Sequence, residues 1–301
     1  MIQNSVLKGT FLVGLGAISY GMLATFVKLA YKEGFTTAEI TISQFVYGIL
    51  GVFILHLYDK NKPQKTTKKA STKSKIQLII AGTSLGLTSV FYYLCVKFID
   101  VSIAIVLLMQ TVWMGVLFEW FFDKKTPSFK KIVAVIIVVF GTLLATNVFK
   151  SNVQIDWKGF VFGLIAALSF TITMVSSNKI ALQASSAQRS LYMLYGGAMV
   201  ALIFAILMQQ NSFNIHIFLK YGFFLALFGT IIPPVLMNAG FPLCGIGLGS
   251  IVSALELPVS VVMAFFILNE QVTALQWTGI VLILISIIIM NTNFVIKKKL
   301  S

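Results

Sequence analysis

Ten long apolar runs, most of them separated by short polar breaks, dominate this 301-residue sequence. They cover roughly residues 9–30, 37–58, 76–98, 101–121, 132–149, 159–181, 189–209, 217–240, 246–268 and 274–295. A hydrocarbon core about 30 Å thick needs about 20 helical residues to cross it, and each run is of that order. The runs are continuous rather than alternating, so helices are expected and not a β-barrel. The fifth is short, and the eighth carries Pro233 and Pro234, which can break it. Charged residues are only 11% of the chain, against about 25% in soluble domains. Such a chain cannot clothe a water-facing surface, and lipid must be its solvent. The expected fold is an all-α membrane protein with ten transmembrane helices.

The net charge of +14 would raise nucleic acid as a partner for a soluble protein. Here the basic residues sit between apolar runs, where they set orientation, so no nucleic-acid partner is expected. With ten spans, both termini share one side. That side carries 17 of the Lys and Arg residues and the other carries 6. Seven of the 17 lie in the loop from Asp59 to Lys75, and Arg189 is counted with the loops too. The bias places both termini in the cytoplasm. The first run is too long for the core of a cleavable leader and reads as the first span. Cys95 and Cys244 form no CxxC and no cluster with His56 or His216, so neither metal nor cofactor is expected.

The chain repeats itself. At a shift of 150, Lys8, Gly9, Ala17, Ser19 and Tyr20 fall on Lys158, Gly159, Ala167, Ser169 and Phe170. Gly82-Thr83 falls on Gly229-Thr230 at 147, and Gln110 on Glu256 and Asn147 on Asn293 at 146. Halves of five spans each, 1–150 and 151–301, would be inverted relative to one another. Inverted repeats are a recurrent plan of secondary transporters, with the solute near the midplane between them.

Two segments carry a resemblance to a known family. One is GLGAISYG, from Gly14 to Gly21. The other is SALELPVSVVMAFFILNEQVTALQWTGIVLILISI, from Ser253 to Ile287. With Pro258, Glu270, Gln276 and Gly279 in place, the chain resembles the EamA-like branch of the drug/metabolite transporter superfamily. In the first half Val112 and Lys124 replace the family's usual proline and acid, which makes the halves unequal. The resemblance covers essentially the whole chain. It implies ten helices, a central cavity and export or exchange of small metabolites such as amino acids. The expected location is a bacterial cytoplasmic (inner) membrane, with lipid and a small solute as partners. A homodimer is left open.

Glu256 is the sharpest chemical signal, because an acid deep in a span costs about 2.5–3.5 kcal/mol. Gly249, Ser253, Glu256 and Ser260 share one helical face. That stripe suits a solute path or a proton site; the alternative is a protonated acid bonded to a neighbouring helix. Gln110 is its counterpart and can bind a polar solute but not carry a proton. Ser169, Thr173 and Ser176 form a second stripe, and Ser84, Thr88 and Tyr92 a third, each read by itself as helix glue before a solute path. Asn238 follows Pro234 by one turn on a helix that can line a cavity. Trp113 and Tyr20 can stack on a solute or fill the core. Gly82 and Gly86, and Gly245 and Gly249, mark close helix contacts. Lys28, Lys97 and Lys179 are expected to snorkel, and Glu119 to sit at the interface. The terminal Lys298-Lys299 pair reads as the flank of the last span.

Solute binding is thus expected at Glu256, Gln110, Ser253, Ser260, Trp113, Tyr20, Tyr92, Ser169, Thr173 and Asn238. No nucleotide-binding loop and no HExxH or CxxC motif is present, so neither ATP hydrolysis nor enzymatic chemistry is expected. A membrane-embedded enzyme or a channel built around a lone acid remains the alternative to a secondary transporter.

Overall fold

The computed structural model describes residues 2–60, 70–99, 101–145, 156–209, 211–269 and 271–299. The lysine-rich stretch 61–69, Asn147, Lys150 and Glu270 lie outside the described residues, as do the side chains of Asn293 and Lys297 to Lys299. The described chain is helical: α1 (Ile2–Lys32), α2 (Thr37–Lys60), α3 (Thr72–Phe98), α4 (Val101–Leu108), α5 (Thr111–Asp123), α6 (Phe129–Ala145), α7 (Trp157–Lys179) and α8 (Ser186–Met208). There follow α9 (Phe223–Ala226), α10 (Ile232–Cys244), α11 (Ile246–Ser253), α12 (Glu256–Leu268) and α13 (Ala274–Lys299). Among the described residues, eight helical runs are long and apolar enough to cross a membrane. The α6 segment has 17 residues, and the apolar part of α13, Ala274–Met290, is also short. Large apolar side chains such as Phe11, Ile54, Phe121 and Phe266 face outward, as lipid requires.

Two runs expected to be continuous are bent instead. Between α11 and α12, Pro258 cannot donate to Ala254, and the freed carbonyl takes the Leu257 N–H at 3.2 Å. Between α4 and α5 no proline is present. There the Gln110 N–H bonds Leu107 O at 3.1 Å, and the Gln110 side-chain Nε2 takes over Val106 O at 2.9 Å. An amide side chain thus does in one half what proline does in the other.

The run with Pro233 and Pro234 shows the opposite outcome. From Phe218 to Cys244 it stays helical, widened by π-helical turns at Phe218–Gly222 and Leu227–Ile231. Phe228 O, five residues before Pro233, accepts the Ser19 hydroxyl at 3.2 Å instead of a backbone donor.

The glycine contacts were legible in part. α3 and α8 meet so closely that a methyl group at Gly82 or Gly196 would overlap Met193 O or Ile79 O. Gly249 packs instead under the Phe241 ring. Thr36 and Glu39 form a capping box on α2, with Thr36 N to Glu39 Oε2 at 2.8 Å. The other oxygen, Glu39 Oε1, accepts Asn214 N at 2.7 Å, tying this end of α2 to the segment after α8.

Three charged residues lie elsewhere than expected. Glu119 is buried, not interfacial, because Lys131 Nζ reaches Glu119 Oε2 at 2.6 Å. Lys179 pairs with Asp123 and lies over the Phe118 ring at 5.2 Å rather than reaching for water alone. Arg189, counted with the loops, is 2% exposed within α8. Cys95 and Cys244 are both free.

Candidate functional site

Glu256 is the first residue of α12, just past the bend forced by Pro258. It is 8% exposed, and that exposure faces a cavity between α1, α2, α3, α4, α7 and α12. Tyr20, Tyr92, Tyr93 and Phe170 wall the cavity with rings, and Gln44, Thr88 and Ser89 supply polar atoms. The volume open to water centres is about 50 Å³, room for a few waters. No basic side chain lines it, and the Glu256 carboxyl makes no hydrogen bond or ion pair with a described residue. Tyr93 donates to Gln44 Oε1 at 2.8 Å. The Tyr92 hydroxyl is buried and finds no partner among the described residues. Tyr20 sets its ring edge-on to Phe170, with centroids 5.8 Å apart.

Two further cavities adjoin this one. Ala24 belongs both to the central cavity and to a second of about 80 Å³, lined by Thr25, Lys28, Ser260, Gln271 and Gln276. Tyr20, Leu85 and Phe170 belong both to the central cavity and to a void of about 10 Å³ beside Thr173, Ser177, Met237 and Asn238. The row narrows from the Lys28 end of α1 toward the Asn238 end.

The structure brings together only part of the expected set. Glu256, Tyr20 and Tyr92 share the central cavity. Ser260 opens into the second cavity and donates to Gly21 O at 3.0 Å. Thr173 and Asn238 line the small void. Ser253 lines none of these cavities and donates to Gly249 O of its own helix at 2.9 Å. Ser169 is buried; its carbonyl accepts Thr173 Oγ1 at 3.1 Å. Gln110 accepts Trp113 Nε1 at 2.7 Å, and Trp113 is half-exposed at the protein surface. Neither joins the cavity, because the Gln110 amide is engaged at the bend between α4 and α5. Gln44, Ser89 and Tyr93 were not singled out from sequence. An amide inside the second apolar run and a tyrosine next to Tyr92 were the available signals.

The profile of the EamA-like transporter family matches residues 7–147 and again 157–292. The chain belongs to the EamA-like transporter family. An integral membrane transporter of small molecules, and not an enzyme, is what that membership establishes. Among the described residues no group of three His, Cys, Asp or Glu is placed to hold a metal ion. A solved chain, described only as the crystal structure of a protein, matches this EamA-like chain with a TM-score of 0.76. The match covers 95% of this chain and 97% of that one at 14% identity, a likeness of fold alone. No curated protein matches the chain.

Proposed function

We propose that this EamA-like protein is a secondary transporter that exports or exchanges small amine-bearing metabolites, amino acids among them. The observation that carries the reading is the Glu256 cavity. A buried acid without a partner is costly, so the site calls for a ligand that supplies a donor and positive charge. Aromatic faces attract an ammonium group, and four rings line the cavity that this acid faces. No basic side chain in the wall competes for the carboxylate. A proton can serve the same carboxylate when the solute has left, which would couple the two fluxes.

In this reading the chain crosses a bacterial cytoplasmic membrane ten times, with both termini inside. Segments 1–150 and 151–301 form inverted five-helix repeats. Two facts support the repeat: the family profile matches once in each half, and bends fall at Gln110 and Leu255, 145 residues apart. The lysine and arginine bias supports the orientation.

The test is flux in proteoliposomes. Labelled amino acids should move in a saturable manner and respond to a pH gradient. Non-saturating flux would make the protein a channel. No flux of any amine-bearing solute would sink the substrate class.

A further inference from the structure

Arg189 has no role in that reading, yet it is among the most buried charged groups described. Its guanidinium bonds three backbone carbonyls: Ile180 O at 2.9 Å, Asn238 O at 2.5 Å and Ser177 O. Each carbonyl lacks a helical donor for a reason readable in the sequence. Ser177 and Ile180 stand where α7 ends and the chain turns through Ala181, at φ 52°. Asn238 O lies four residues before Pro242, which has no N–H to offer.

The bonds cross a seam. On one side is the corner between α7 and α8, and on the other is α10. Four hydrogen bonds span it: Arg189 Nη1 to Asn238 O at 2.5 Å, Asn178 Nδ2 to Phe241 O at 2.6 Å, and Asn238 Nδ2 to Ser190 Oγ at 2.8 Å and to Met193 Sδ at 3.7 Å. The 10 Å³ void lies along this seam, lined by Ser177 and Met193 from one side and Met237 and Asn238 from the other. Asn238 Oδ1 is buried there and has no partner among the described residues. The closed seam therefore leaves an acceptor unsatisfied that water would satisfy on opening.

The geometry points to Arg189 as the gating residue of the narrow end of the cavity row: its bond to Asn238, with that of Asn178 to Phe241, holds α10 against the α7–α8 corner, and their rupture connects the Glu256 cavity to the aqueous phase on that side. All the acceptors are neutral, so no carboxylate locks the arginine in place. A charge-assisted hydrogen bond holds more strongly than a neutral one, but thermal motion and solute binding can overcome either. The inference rests on the transport reading for its purpose, but the opening itself is observable without flux.

The experiment uses the full chain in membrane vesicles of both orientations, with Cys95 and Cys244 replaced by serine. Met237→Cys reports on the void and Ala24→Cys on the opposite approach, each through labelling by a membrane-impermeant maleimide. Arg189→Gln should raise Met237→Cys labelling about tenfold from the side that bears the α7–α8 corner. Asn178→Ala, which leaves Phe241 O still bonded to Gly245 N at 2.9 Å, should raise it less. Ala24→Cys labelling from the other side should fall in both. A staple with no gating role would lower thermal stability and alter both reporters alike, or neither, and either pattern overturns the proposal. If Arg189→Gln does not fold, Asn178→Ala decides: an unchanged Met237→Cys rate rejects the gate. Amino-acid flux that is absent while the labelling shifts remain would fault the substrate class and leave the gate standing.

Discussion

Glu256 and Ser260 stand one turn apart on α12, yet they open into separate cavities. α1 crosses α12 between them at Gly21, where a methyl group would come within 2.5 Å of Glu256 O and 2.7 Å of Val259 Cβ. Ser260 closes that crossing by donating to Gly21 O. A single polar stripe in the sequence is thus divided between two places along the path.

The division separates the two residues' effects. Glu256→Gln keeps shape and should fold normally, but lower amine affinity or uncouple flux from the pH gradient by about tenfold or more. Ser260→Ala removes one neutral hydrogen bond, about 1 kcal/mol, and should leave solute affinity within about twofold. Reconstituted transport with and without a pH gradient measures both. Wild-type rate and pH response in Glu256→Gln would reduce the acid to packing.

Gly196→Ala should destabilise the α3–α8 pair by about 1–3 kcal/mol, because its methyl group meets the rigid carbonyl of Ile79. Thermal unfolding in detergent should show a lower midpoint. An unchanged midpoint would mean that the two helices separate freely.

Glu119→Leu strands Lys131, whose ammonium otherwise reaches Glu119 Oε2 at 2.6 Å. Breaking one half of such a partly buried pair costs about 3 kcal/mol. Removing both charges with Glu119→Leu and Lys131→Met should recover most of it. A double-mutant cycle on thermal stability checks the coupling.

Glu33 lies just past α1 and accepts from Lys220 Nζ and Tyr221 Oη, each at 2.6 Å. The Lys220 hydrogen bond, with that of Tyr221, holds its carboxyl below the usual carboxylate range. A carboxylate with a lowered folded-state pKa stabilises the fold above its unfolded value, near pH 4. That contribution is lost as pH falls through the lower folded value. The pair is exposed, so it should also fade with salt. Stability of the wild type should therefore fall more steeply below about pH 4 than that of Glu33→Gln. Parallel curves would remove Glu33 from the acid response.

Orientation is open to labelling in a background without native cysteines. Thr72→Cys should react only from the cytoplasmic side and Lys32→Cys only from the outside, since α2 alone crosses the membrane between the end of α1 and the start of α3. The reverse pattern would invert the topology without disturbing the helices.

The apolar runs and their lengths determined that this chain is a multi-spanning helical membrane protein. Lipid offers no hydrogen bonds, so run length alone dictates helices. The cost of a buried acid likewise marked Glu256 without any structure. What lies opposite a residue depends on how helices cross, and local sequence does not contain that. Gln110 looked like the mate of Glu256, but its amide replaces its own backbone N–H at a bend. Arg189 looked like a loop charge, because a run that begins with a basic residue reads as a helix end. Only the tertiary structure placed it beneath α10, against carbonyls that Pro242 and the end of α7 had left without donors.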